Sequence, residues 1–164
     1  MFLTQRNQYA LRAIVELAKR VGSGPVKVSE IAAAQAIPRR FLEVILGQLK
    51  GSGLVAAKRG YHGGYILLRE PEDITVGNVI RFLQGEPDHK DCQNCVFKLQ
   101  CPTDRECAFA SLWNRVNEAV FTIFDETTIQ DLLEDGDRAR VETVLAILLS
   151  NLAVLGDRLL VLAP

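Results

Sequence analysis

No stretch of eighteen apolar residues occurs in the 164-residue chain, so the sequence carries no pattern for a membrane-spanning helix. The opening, Met1 to Arg6, lacks the charged-then-apolar order of a secretory signal. These two absences lead us to expect a cytoplasmic protein. Histidine is scarce: His62 and His89 are the only two, and they lie apart in polar stretches. No nucleophile–base pair and no phosphate-cradling loop is present, which argues against an enzyme. Cysteine is missing from the whole chain before residue 92 and after residue 107. At this length a real core can be buried without disulfide staples.

The cysteines that are present crowd together. Cys92, Cys95, Cys101 and Cys107 fall within sixteen residues, separated by two, five and five residues. Thiols spent on filling a core would be scattered, whereas thiols this close can converge on one soft-metal centre. Cys92-x2-Cys95 is a common zinc spacing, and zinc takes tetrahedral thiolates. An iron–sulfur cluster needs ligands spread around a larger inorganic core, which suits the longer gaps. A disulfide pair is disfavoured in a reducing compartment. Spacing therefore favours metal over disulfide, and only slightly favours iron–sulfur over zinc.

Hydrophobic residues make up 48% and charged residues 24% of the chain, as in soluble globular domains. The net charge of −1 hides an imbalance. Residues 1–70 hold eleven Lys or Arg against four Glu, and residues 71–164 hold eight against sixteen acidic residues. A basic first half suits contact with a polyanion; an unevenly charged solvated surface would read the same way.

Apolar residues recur at helical spacing from Thr4 to Val21, and Gly22-Ser23-Gly24-Pro25 ends that helix. Val28, Ile31 and Ala32 mark a short second helix ending near Ala36. Pro38 suits the first turn of a third helix carrying Phe41, Leu42, Ile45, Leu46 and Leu49. The period then changes to that of strands at Leu54–Lys58 and Tyr65–Arg69, around the glycine-rich tip Arg59 to Gly64. A fourth helix is expected over Thr75–Leu83. The expected fold is mainly α, a winged helix-turn-helix with a two-stranded wing followed by a long dimerisation helix.

In that motif the second helix enters the major groove with its N-terminal residues facing base edges. Arg39, Arg40 and Glu43 take that place here, with Gln48 and Lys50 further along and suited to phosphate. The wing tip offers Lys58, Arg59, Tyr61 and His62, and its glycines allow close backbone approach to DNA. Each of these charges taken singly also fits a solvated surface.

Thr103-Asp104-Arg105-Glu106 has the form of a capping box, which would open the long helix and put Cys107 in its first turn. The helix dipole there would favour the thiolate. Its stripe of Phe109, Leu112, Trp113, Val116, Val120, Ile123 and Phe124 suits a dimer interface; packing on its own domain is the alternative. Thr127-Thr128-Ile129-Gln130 forms a second box opening a short helix through Glu134, and Gly136-Asp137 restarts a strongly apolar helix. The expected divisions are residues 1–85 for the winged helix, 86–107 for a cysteine-rich cluster-binding loop, 108–135 for the dimerisation helix region and 136–164 for an apolar helical extension of unknown role.

From about Leu3 to Asp135 the chain resembles the bacterial winged-helix regulators typified by IscR, NsrR and RirA. The residues that carry the resemblance are Tyr9-Ala10-Leu11-Arg12, Ile31-Ala32, Phe41-Leu42-Glu43, the wing Arg59-Gly60-Tyr61-His62-Gly63-Gly64-Tyr65 and Ile74-Thr75-Val76. The cysteine segment, Trp113 and Thr127-Thr128-Ile129-Gln130-Asp131-Leu132 complete the match. The resemblance implies a homodimeric transcription regulator, expected as a repressor, that binds a palindromic double-stranded operator and carries an iron–sulfur cluster, 2Fe–2S or 4Fe–4S. Three of the family's ligands would fall on Cys95, Cys101 and Cys107. Ala110 stands where some members have a histidine, and Gln8 where others have an acidic ligand. The fourth ligand is therefore Cys92 on chemical grounds, with Gln8, Asn7 or His89 as alternatives. The signal would be iron or cluster supply, nitric oxide or redox state. The alternatives are a winged-helix regulator with a zinc site and a cluster-carrying protein that does not bind DNA.

Overall fold

The structure is a computed structural model, and it describes residues 4–84, 109–138 and 142. The four cysteines, His89, the capping-box residues Thr103–Glu106 and most of the C-terminal extension lie outside the described residues.

The described elements run α1 (Gln5–Ala18), α2 (Val28–Gln35), α3 (Arg39–Leu49), β1 (Val55–Lys58), β2 (Gly64–Leu67), α4 (Val76–Gln84) and α5 (Ala110–Glu126). A sixth helix, α6, covers residues 129–138. Thr4 opens α1 by accepting a hydrogen bond from the Asn7 N–H at 3.2 Å. Ala36 closes α2 in the left-handed region at φ 51°, a tight reversal that drops Ile37 into the core. Pro38 stands just outside α3, not in its first turn. Its backbone is extended and its carbonyl accepts from the N–H groups of Phe41 and Leu42. Thr75 and Asn78 cap α4 reciprocally, each side chain accepting from the other's backbone N–H.

Strands β1 and β2 pair antiparallel, with Val55 opposite Leu67 and Lys58 opposite Gly64. Val26 adds a bridge to Tyr65, so the segment before α2 borders the wing. That pairing leaves no room at Gly64, where a Cβ would collide with the Val26 backbone.

The core is formed where α1, α2, α3 and α4 meet. Ile14, Ile31, Leu42, Leu46, Leu49 and Val79 are fully buried there. A buried acid joins the apolar face of α1: Glu16 accepts from Arg20 and Gln35, both at 2.9 Å, and Arg20 reaches on to Glu30 at 2.9 Å. The pairing offsets the cost of burying the carboxylate and fastens α1 to α2.

The C-terminal part departs from expectation in three places. Helix α5 opens at Ala110, not at Thr103, and Phe109 makes no side-chain cap. Cys107 and the Thr103–Glu106 box expected to place it in a first helical turn lie outside the described residues. The second capping box sits one residue later than expected. Thr128 donates its backbone N–H and hydroxyl to the Asp131 carboxylate, at 2.8 and 2.7 Å, and its hydroxyl accepts from the Asp131 N–H. Those hydrogen bonds hold the exposed Asp131 carboxyl below its ordinary range. Thr127 instead returns its hydroxyl to the Ile123 carbonyl at the end of α5. Helix α6 also runs through Gly136 to residue 138, where the expectation was a stop at Glu134 and a restart. Between α5 and α6, Thr128 bridges Thr75, and Ile129, the first residue of α6, enters the core fully buried.

Candidate nucleic-acid interface

The buried positions of α3, namely Leu42, Ile45, Leu46 and Leu49, follow helical spacing and fix which way the helix turns. Arg39, Arg40, Glu43, Val44, Gly47, Gln48 and Lys50 are left exposed. Arg39 and Glu43 pair across one turn, Nε to Oε1 at 2.8 Å. Such an exposed pair is worth only about 0.3–0.5 kcal/mol, so either member can be released to a base edge or phosphate at little cost. Arg40 points outward beside them.

Gln48 has a partner that the sequence did not reveal. Its amide oxygen accepts from Arg6 Nη2 at 2.6 Å, which brings a cation from the start of α1 to the end of α3. Lys50 follows in a short turn over Lys50–Ser52. The C-terminal end of the exposed α3 face is therefore basic.

At the wing tip Lys58, Arg59, Tyr61 and His62 are all exposed, Tyr61 at 86%. Gly60 adopts φ 115°, and its carbonyl accepts from the Gly63 N–H at 2.9 Å. Only glycine takes that φ without strain, so the tip closes as a tight turn. The Tyr61 and His62 rings meet edge to face with centroids 5.0 Å apart. Lys27 Nζ sits 5.4 Å from the Tyr61 centroid, within cation–π range. Lys27 was not anticipated either, because nothing local in the sequence ties it to a tip thirty-odd residues later.

The structure thus places every DNA-facing residue expected in residues 39–62 at the exposed surface of α3 or the wing. Gln8, an alternative fourth ligand, is exposed on the first turn of α1. Asn7, another alternative, is buried on the same helix. The four cysteines and His89 lie outside the described residues, and no group of three His, Cys, Asp or Glu is gathered among the described ones.

The helices flanking the cysteine segment are joined directly. Arg81 of α4 forks both guanidinium nitrogens onto the two carboxylate oxygens of Asp125 of α5, and lies 4.9 Å over the Phe121 ring. Gly77 leaves the space for Asp125, since a Cβ there would collide with its carboxylate. The Arg81 hydrogen bonds hold the Asp125 carboxyl below its ordinary range, against a smaller opposing effect of burial. A lowered folded-state pKa stabilises the fold above the ordinary carboxylate range, and that contribution fades as pH falls through the folded value. Asp125→Asn should therefore lower the thermal midpoint at pH 7, by a difference that shrinks as pH falls below the ordinary carboxylate range. The Asp125 side chain is 42% exposed, so the loss should stay at or under about 1 kcal/mol. Thermal unfolding of both proteins from pH 3 to 8 measures it; a difference independent of pH would assign the effect to packing at Gly77.

A core of helices α1 to α4, a two-stranded wing and a basic face on the second helix of the helix-turn-helix together define a winged-helix DNA-binding protein. Residues 3–135 match the Rrf2 family, described as an iron-dependent transcriptional regulator, and the chain belongs to that family. It is 34% identical over 140 residues to the HTH-type transcriptional regulator CymR of Bacillus subtilis, covering 84% of this chain and 95% of that one. It is 32% identical over 149 residues to the regulator IscR of Yersinia pseudotuberculosis, covering 87% and 89%. Among solved structures, T. potens IscR superposes with a TM-score of 0.67 at 33% identity, covering 84% of this chain and 89% of that one. CymR, the global cysteine regulator of B. subtilis, superposes with a TM-score of 0.65 at 34% identity, covering 80% of this chain and 95% of that one. The protein is accordingly a DNA-binding transcription regulator and not an enzyme. No helix among the described residues is long and apolar enough to cross a membrane.

Proposed function

We propose that this chain is a cytoplasmic, homodimeric repressor whose operator affinity is set by an iron–sulfur cluster. The observation that carries the reading is the thiol quartet, present in a chain whose family is described as iron-dependent. The donor set fits the group: Cys95, Cys101 and Cys107 would hold it, with Cys92 as fourth ligand. Thiolate is the preferred donor for such iron, and the amide of Gln8 is a poor one. When bound, the cluster would supply a centre sensitive to iron supply, nitric oxide or oxidant.

The dimer rests on α5, none of whose residues is buried. Phe109 is 62% exposed, Leu112 48% and Ile123 60%. With Val116 and Ala119 they follow alternating steps of three and four residues, the seam of paired helices. A second copy would cover that seam, and a two-fold dimer reads a palindromic operator.

A second reading keeps the DNA-binding regulator and gives it no cluster, with the thiols holding zinc or acting directly. It is favoured by the similarity to CymR, a cysteine regulator. In both readings Arg40 and Arg59 face DNA. Arg40→Ala or Arg59→Ala should each weaken operator binding by roughly tenfold or more and reduce its salt dependence, with the metal content unchanged. Fluorescence anisotropy across a salt series checks this. Loss of metal together with DNA binding would show that these arginines support the fold and do not contact DNA.

A further inference from the structure

The exposed face of α3 has an apolar residue at its middle. Val44 is 60% exposed and lies one turn beyond Arg40 and just under one turn before Gly47. The three share one side, opposite Leu42, Ile45, Leu46 and Leu49. Phe41, 62% exposed, lies three residues earlier at the edge of the same face. Exposed apolar residues are ordinary on a protein surface, so exposure alone means little. Its position among the charged residues is what carries weight. Arg40 and Gln48 lie one turn to either side of Val44 and Glu43 precedes it, and β-branched valine gains nothing for the helix there. A Cβ at Gly47 would meet nothing within 4 Å, so no packing against the protein requires glycine. What glycine does give is a bare backbone that can come close to whatever faces α3.

In the major groove the one apolar feature of a base pair is the C5-methyl of thymine, and small apolar side chains read it. We propose that Val44 is a specificity residue that packs on a thymine methyl in each half-site. Gly47 lets the helix approach closely enough for the contact, and Arg40 takes an adjacent guanine edge. Side chains four apart on a helix are separated by about 6 Å. Bases rise about 3.4 Å along each strand, so the thymine lies within about two base pairs of the guanine. The proposal rests on α3 being the helix that enters the groove.

The test begins with selection of tight-binding duplexes from a random pool by the full-length protein. Each thymine of the selected site is then replaced in turn by deoxyuridine, which removes only the methyl. For the wild type, one thymine per half-site should show an affinity loss of about fourfold on replacement, the value of one buried methyl. For Val44→Ala the same replacement should cost nothing, and selection with this variant should relax the base preference at that position alone. Because Val44 is exposed, the variant should unfold at the wild-type temperature. Three outcomes overturn the proposal. Deoxyuridine could be harmless to the wild type at every thymine of a tightly bound site. The methyl effect could persist in Val44→Ala. A selection that yields no preferred duplex would overturn the reading of α3 as a groove helix, and the proposal with it.

Discussion

Replacing Cys101 with alanine is expected to leave the protein colourless and essentially free of iron after anaerobic isolation. Cys101 is the middle one of Cys95, Cys101 and Cys107, with five residues between it and the cysteine on either side. Changes to groups that merely support a ligand cost about 10–100-fold in metal affinity, so removing a ligand costs more. The DNA affinity of the variant should be the same with and without nitric oxide or oxidant, whereas that of the wild type changes. Cys92→Ala provides the graded comparison, with weaker retention if Cys92 is the fourth ligand. An unchanged spectrum for Cys92→Ala would move that role to Gln8 or His89. An unchanged spectrum for Cys101→Ala would end the assignment of the site to this segment. Iron, sulfide and absorption measurements on the three proteins separate these outcomes.

Leu46→Ala is expected to lower stability by about 2–5 kcal/mol. Leu46 is fully buried on α3 and has Leu42, Ile45 and Leu49 on the same face. Truncation removes three carbons from a close-packed site that the surrounding helices can only partly refill. Small domains have only about 5–15 kcal/mol in total, so the variant stands near its unfolding threshold. The urea midpoint should fall with little change in slope, and DNA binding at 37 °C should fall with it because α3 loses its seat. The defect should be partly restored at lower temperature or by added operator DNA, which stabilises whatever state binds it. A loss under about 1 kcal/mol would mean that α3 is anchored elsewhere.

The parts of this molecule legible in its sequence are those with a local cause. Helices α1 to α4 and both strands fall within a few residues of the expected bounds. Their apolar periods are long relative to their lengths, and Gly22, Gly24, Gly53 and the wing glycines punctuate them. The exposed cations of α3 and the wing were legible for the same reason. What the sequence hid is long-range pairing. Arg6 with Gln48, Lys27 with Tyr61 and Arg81 with Asp125 join residues 42, some thirty and 44 positions apart, and no periodicity announces them. Glu16 could have been noticed as an acid on the apolar face of α1, but its partner Gln35 lies on another helix. The second capping box lies one residue beyond its expected place because a Thr-x-x-Gln pattern is short. Packing decided between neighbouring threonines: Ile129 had to reach the core, which put Thr128 at the cap and Thr127 at the end of α5.

The most direct test of the account is spectroscopy of the full-length protein isolated anaerobically, coupled to operator binding before and after exposure to nitric oxide or oxygen. The account predicts a coloured protein with iron and acid-labile sulfide, and an operator affinity that changes when the colour is lost. Colourless protein with zinc and no sulfide, binding its operator equally under all conditions, would contradict it.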